Sequence, residues 1–198
     1  MTALFLLTAF PTMAVAQTTA TIISRGTGNM VRVDQSTAVA ALVDIEQIGD
    51  AGRIVVAQAG GAHRAMIKST GIANGIAATQ SGAGVNHARL STSGNDNIAN
   101  VEQQAQAGAG NGLSLEQMGS ANVANLTQLA YAGINDMVLN QYGDGNMATL
   151  SQNGDGNQLS LTQNGNGNNA QLNQIGNGLA LGLTQSGGAT IAITQTTP

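Results

Sequence analysis

Residues 141–185 run in elevens: QYGDGNMATLS, QNGDGNQLSLT, QNGNGNNAQLN and QIGNGLALGLT, with Gln185 opening the next copy. Gln comes first, Gly third, Gly fifth and Leu tenth in all four copies, and Asn comes sixth in three of them. A unit this short cannot bury an apolar face by itself. A chain made of such units must stack copies on one another, so the repeat constrains the fold more than any other feature.

The phase extends back to Ser24, through Gln35, Gln47, Gln58, Ser69, Gln80, Thr92, Gln103, Gln117 and Gln128 to Gln141, Gln152, Gln163, Gln174, Gln185 and Gln195. Ten of these fifteen intervals are eleven residues long. The longest, from 103 to 117, is fourteen, and there Gln106 restores the phase.

Each unit has two parts. Its second to fifth residues are rich in Gly and Asn, which tolerate positive φ, and they predict a tight turn. The turn glycines are Gly119, Gly143, Gly145, Gly154, Gly156, Gly165, Gly167, Gly176 and Gly178. The remaining residues alternate as in a half-buried strand. On one face lie Asn146, Ala148, Leu150 and Gln152, and Met147, Thr149 and Ser151 lie on the other. The same alternation gives an inward face that is aliphatic in the middle and carries amides at its ends. Its Asn positions are Asn29, Asn97, Asn111, Asn122, Asn146, Asn157 and Asn168.

The charges test that facing independently. None of the six basic and ten acidic residues falls on the aliphatic face. A slip of one residue would turn every side chain over and put charges inside. Two facing strands joined by turns make a rung of about 22 residues, which defines an all-β, two-stranded-per-rung β-solenoid of about fifteen half-repeats over residues 24–195. Like then stacks on like. Gln over Gln and Asn over Asn form amide ladders, as in cross-β assemblies, and the pairing makes buried amides tolerable. The ends carry no polar cap, and no charged residue follows Asp155. Open edges of that kind are templates for another chain.

Other features bound the function. Charged residues are 8% of the chain, with 27 Gly, no Cys, no Trp, and two each of Phe and Tyr. Such a composition excludes a disulfide framework, a thiolate metal site and a thick aromatic core. A net charge of −4 gives no reason to expect nucleic acid. An apolar run at residues 4–7 and the small-x-small box Ala14-Val15-Ala16 predict a secretory signal peptide over residues 1–16. A basic n-region is missing, which points to a start further upstream. Residues 17–23 read as a short lead without the repeat, and residues 196–198 as a tail. All six basic residues lie between Arg25 and Arg89. That asymmetry reads either as gatekeeping charges that slow polymerisation of the first half, or as drift on solvated faces.

The repeat resembles that of the curlin family, Q-x-G-x-x-N-x-A-x-x-x-Q. The copies nearest to it run from Gln141 through Gly143, Asn146 and Ala148 to Gln152, and from Gln163 through Gly165, Asn168 and Ala170 to Gln174. Another runs from Gln117 through Gly119, Asn122 and Ala124 to Gln128. The resemblance covers residues 24–195. It implies a secreted bacterial subunit of functional amyloid, the curli fibre of biofilm matrix and surface adhesion. The partners it implies are further copies of the chain, a paralogous curlin subunit, and an outer-membrane secretion pore with accessory factors. A minor subunit that nucleates the fibre is the alternative within the family. The sequence departs from the pattern where Ser24, Ser69 and Thr92 replace Gln, and the lead is shorter than the family's export-targeting segment.

Sites of chemistry are not expected. His63 takes an Asn place beside a turn and His87 points outward, on different units without a recurring acid partner. Asp144 and Asp155 sit in Gly-Asp-Gly-Asn turns, but the regular acid series of a calcium β-roll is missing. The GxG pairs lack the Lys-Ser/Thr of a phosphate loop, and Tyr131 and Tyr142 are too few for a stacking platform. The reading is therefore a non-enzymatic structural protein without cofactor. A monomeric β-solenoid that binds ice or glycan, or degrades a polysaccharide, is the alternative from another class. It is disfavoured by irregular outward residues such as Met147, Gln158 and Gln171.

Overall fold

The structure, a computed structural model, describes residues 17–197 together with the strand at Leu4–Thr8. The export-signal reading otherwise lies outside the described residues. Strands are numbered in chain order and alternate between two sheets. The first sheet holds β1 (Leu4–Thr8), β3 (Met30–Ala38), β5 (Arg53–Gly60), β7 (Gly75–Gly82), β9 (Ile98–Ala105), β11 (Val123–Ala130), β13 (Met147–Asn153), β15 (Asn169–Ile175) and β17 (Thr190–Thr196). The second holds β2 (Thr19–Arg25), β4 (Leu42–Ile48), β6 (Arg64–Thr70), β8 (Val85–Ser93), β10 (Gly110–Met118), β12 (Ile134–Tyr142), β14 (Gln158–Asn164) and β16 (Ala180–Ser186).

Each strand pairs in parallel with the strand two places on, and the two sheets face each other. The chain is thus a β-solenoid with two strands per rung, as the period required. Regular structure begins earlier than the repeat did, because β2 occupies most of residues 17–23 and pairs with β4 from Thr19 to Arg25.

Alternation decides which residues meet inside. In β13 the inward Ala148, Leu150 and Gln152 are buried between the exposed or half-exposed Met147, Thr149 and Ser151. Parallel in-register pairing then piles equal side chains into rows. Ala99, Ala124, Ala148 and Ala170 form one row, and Val101, Leu126, Leu150 and Leu172 the next. Those rows face Leu115, Leu139 and Leu161 of the second sheet within one apolar cluster. A fully buried Leu contributes about 1.5–3 kcal/mol, whereas a net hydrogen bond contributes about 0.5–1.5 kcal/mol. Apolar rows therefore supply most of the stability. The amides beside them penalise any other register.

Turn chemistry follows two places in the unit. The fifth place is left-handed in most of the regular turns, whether Gly145 (φ 65°), Ala73 (φ 58°) or Ala121 (φ 57°) holds it. Where Gly holds the third place it has positive φ too, but there the reason for Gly is proximity. A Cβ on Gly143 or Gly154 would overlap the carbonyl of Gly165 or Gly176 in the next rung. One expectation is corrected. Gln106 does not carry the phase across the long interval. It lies exposed in a turn closed by Ala109 N–H donating to Gln106 O (2.9 Å), and the extra residues are absorbed there.

Candidate functional site

Side-chain amides line both margins of the core and stack along the solenoid axis. In the first sheet the Gln column is continuous. Gln35 donates to Gln58, Gln58 to Gln80, Gln80 to Gln103, Gln103 to Gln128, Gln128 to Gln152, Gln152 to Gln174 and Gln174 to Gln195, all at 2.7–2.9 Å. Every bond runs from Nε2 of one rung to Oε1 of the next. The second Nε2 hydrogen crosses to a backbone carbonyl in the other sheet, as in Gln128 to Gly112 O (2.9 Å) and Gln152 to Asp136 O (3.0 Å). Only an NH₂ group can satisfy both acceptors, so this double bond fixes which end of each amide is nitrogen.

The second sheet keeps that pattern only in its later rungs. Gln117 donates to Gln141 (2.8 Å), Gln141 to Gln163 (2.9 Å) and Gln163 to Gln185 (2.8 Å). Below Gln117 the column changes. Thr92 donates its hydroxyl to Ser69 at 3.2 Å, and neither reaches an amide. Gln117 Oε1 and both amide atoms of Gln47 are buried without a hydrogen-bond partner. The cause is side-chain length: a hydroxyl stops about two bonds short of where an amide would lie. Gln47 Nε2 fills the space over Gly52 that a side chain there would need.

The Asn columns run the opposite way. Asn122 donates to Asn97 (3.1 Å), Asn146 to Asn122 (3.1 Å) and Asn168 to Asn146 (2.9 Å), and the backbone N–H groups of all three donate to the same oxygens. On the other margin Asn111 donates to Asn86 (2.8 Å) and Asn135 to Asn111 (3.4 Å), while Asn157 N–H donates to Asn135 Oδ1 (3.0 Å). Asn29 accepts from Gly52 N–H (2.9 Å) and donates to Gly49 O (2.7 Å). Sequence reasoning left out Asn74, Asn86 and Asn135. Their spacing from Asn97, Asn111 and Asn157 was the available signal.

His63 stands in that margin, 1% exposed. Its Nε2 donates to Ala59 O (2.9 Å), and Nδ1 accepts from Asn86 N–H (3.3 Å), so the buried ring is the neutral Nε2–H tautomer. Burial lowers its pKa below the ordinary histidine value.

Turn acids and amides make a further set of rung-to-rung bonds that the sequence did not reveal. Asp155 Oδ1 accepts from three successive backbone N–H groups, Tyr131, Ala132 and Gly133, at 2.8–2.9 Å. Those bonds lower its pKa, that from Ala132 most. Asp144 accepts from Ser120 N–H (2.7 Å) and Asp50 from Thr27 N–H (2.6 Å). Asn166 and Asn177 extend the pattern to Asp144 N–H and Asp155 N–H, both at 2.8 Å. Both Gly-Asp-Gly-Asn acids are thus committed to the turn of the preceding rung. Among the described residues no three His, Asp or Glu side chains converge as a metal site would require.

Residues 135–164, which run from β12 through β13 to β14, match the model of the curlin associated repeat. That stretch of the chain is similar to a curlin repeat. Neither a curated protein nor a solved structure matches it. The matched curlin segment contains Gln141, Gly143, Asn146, Gln152 and Asn157, residues of both ladders and of the turn between them.

Proposed function

We propose that this chain is the structural subunit of an extracellular, curli-like amyloid fibre of biofilm matrix and surface adhesion. It is exported after loss of residues 1–16 through an outer-membrane pore with its accessory factors. The mechanism is templated stacking. An end rung offers a row of backbone N–H and C=O groups, and an incoming copy pairs with them in register. A paralogous minor curlin subunit starts the process at the cell surface.

The supporting observation is the first-sheet Gln column, which runs through every rung from Gln35 to Gln195 and ends in the open strand β17. β17 and β16 each have one strand neighbour, as does β2. Their inward Leu181, Leu183, Ile191, Ile193, Ala20 and Ile22 are only partly buried, so a further rung would complete their cover. Long, flat, uncharged edges are the geometry that edge-protected proteins avoid. The repeat and fold are structural in kind, and the ladders are filled by their own side chains rather than shaped to hold a substrate.

The test uses purified residues 17–198, followed by thioflavin fluorescence, light scattering and electron microscopy. Fibres with a 4.7–4.8 Å meridional reflection are expected. A permanently monomeric chain that never raises the dye signal refutes the reading. Adding the chain to cells lacking their own copy separates bulk subunit from nucleator. A bulk subunit accumulates on cells that still display a nucleator, and a nucleator restores fibres at trace amounts.

A further inference from the structure

The outward face of the second sheet has one gap. β10 carries Gly110 and Gly112 at successive outward positions. Gly110 lies between Val85 of β8 and Ile134 of β12, and Gly112 between His87 and Asp136. A slot one strand wide results, with a shallow cavity of about 440 Å³ that continues to Gly108 and Ala109 in the long turn. Its walls are Val85, 55% exposed, and Ile134, 70% exposed. Ile134 already leans over the floor, its Cγ1 3.6 Å from where a Cβ on Gly110 would be.

The dimensions select a ligand shape. The walls stand two strand spacings apart, about 9.6 Å. A flat ring with ordinary van der Waals contact on both faces needs about 7–8 Å between wall carbons. The branched methyls of Val85 and Ile134 take up the remainder. Such a ring lies over Gly110 with its plane along the strands. Over the next glycine, from the β12 side, leans a carboxylate: Asp136 Oδ1 is 3.0 Å from the Cβ position of Gly112. The ion pair found among the described residues, Lys68–Glu46, does not involve it. Arg64 lies beyond His87, and Arg89 stands beside Ser114 two residues further along β8. The edge of the ring facing Asp136 meets an acceptor.

We propose that this slot binds one flat aromatic ring per chain, edge-on, through an N–H that donates to Asp136. The binding does not depend on polymerisation, because the slot faces outward within a single chain.

Indole and N-methylindole are the probes, since they share shape and differ in the N–H. Binding is followed on freshly prepared, unpolymerised chain by amide chemical shifts of Gly108, Gly110 and Gly112. Saturable shifts at one equivalent are expected with indole, at least tenfold weaker with N-methylindole. Ile134→Thr, an exposed substitution that suits a strand, weakens indole at least tenfold by removing a wall. Asp136→Ala abolishes the difference between the two probes. Circular dichroism checks that both variants remain folded, and filling the floor with Gly112→Thr gives a third route to the same loss. Equal binding of the two probes to the unaltered chain overturns the N–H assignment. Unchanged binding to Ile134→Thr, or shifts spread over many strands, overturns the site.

Discussion

Two buried glutamines four rungs apart predict opposite responses to one substitution. Gln152 belongs to the continuous column, whereas Gln47 belongs to the interrupted one. Methionine has the length and flexibility of glutamine without its hydrogen-bonding groups. In Gln152→Met, Gln174 Oε1 loses its donor and Gln128 Nε2 loses one of two acceptors. At about 1–3 kcal/mol for each unsatisfied buried group, the loss is about 2–6 kcal/mol. The better transfer of a thioether into the core returns about 1 kcal/mol, leaving a net destabilisation of about 1–5 kcal/mol. In Gln47→Met no hydrogen bond is lost, because neither amide atom has one. Removing a desolvated, unpartnered amide stabilises by about 1–3 kcal/mol. Urea unfolding by far-UV circular dichroism, on chain too dilute to polymerise, reads the difference. With a slope of about 2 kcal/mol/M, the midpoints move apart by about 1–4 M, downward for Gln152→Met and upward for Gln47→Met. Midpoints that fall together would refute the reasoning, since they would mean that a buried amide stabilises through packing alone.

Three more expectations follow from the margins and turns. Protonating His63 would aim an N–H at the donors of Asn86. Its pKa is depressed in the folded chain, so its contribution is intact above the unfolded value of about 6.5 and lost as pH falls below it; His63→Asn should remove that acid sensitivity from the pH dependence of the urea midpoint. Asp155 is held below the usual carboxylate range, so its turn keeps its bonds at neutral pH and loses them only as pH falls through that lowered value. Asp155→Ala, which removes the acceptor of three N–H groups, should speed amide exchange at residues 131–133 far more than Asp144→Ala does at Ser120. Gly145→Ala should cost only about 1–2 kcal/mol, the penalty of a left-handed L-residue, because its Cβ meets nothing within 4 Å. Gly143→Ala should cost several times more by thermal unfolding, since its Cβ runs into Gly165.

The strand facing was legible because period-two alternation and the charges had to agree. Glu102, Glu116 and Asp136 lie outward on strands whose inward neighbours are buried. The state of the amide columns was not legible in a single file of repeats. Ser24, Ser69 and Thr92 look scattered along the chain, yet every second unit belongs to the same sheet. All three therefore fall in one column, where they isolate Gln47 and cut Gln117 off from below. The columns are found by numbering the units odd and even before comparing them. Gln106 failed for a related reason. It matches the phase in sequence, but backbone pairing carries Gln103 into the ladder and leaves the following residues to form a turn. The outward slot had a faint sequence signal, two glycines alternating with Asn111, but its walls come from strands more than twenty residues away.

The unequal columns give the rod a weak side. Over the rungs from Gln47 to Gln117 the Gln column of the first sheet is bonded at each step, while that of the second keeps one hydroxyl contact. Under axial tension the second sheet should part first there, with the first acting as a hinge, so that rupture begins as a gape on one flank. A filament built from such rods would carry one compliant segment in every copy and would bend in preferred directions before it snapped.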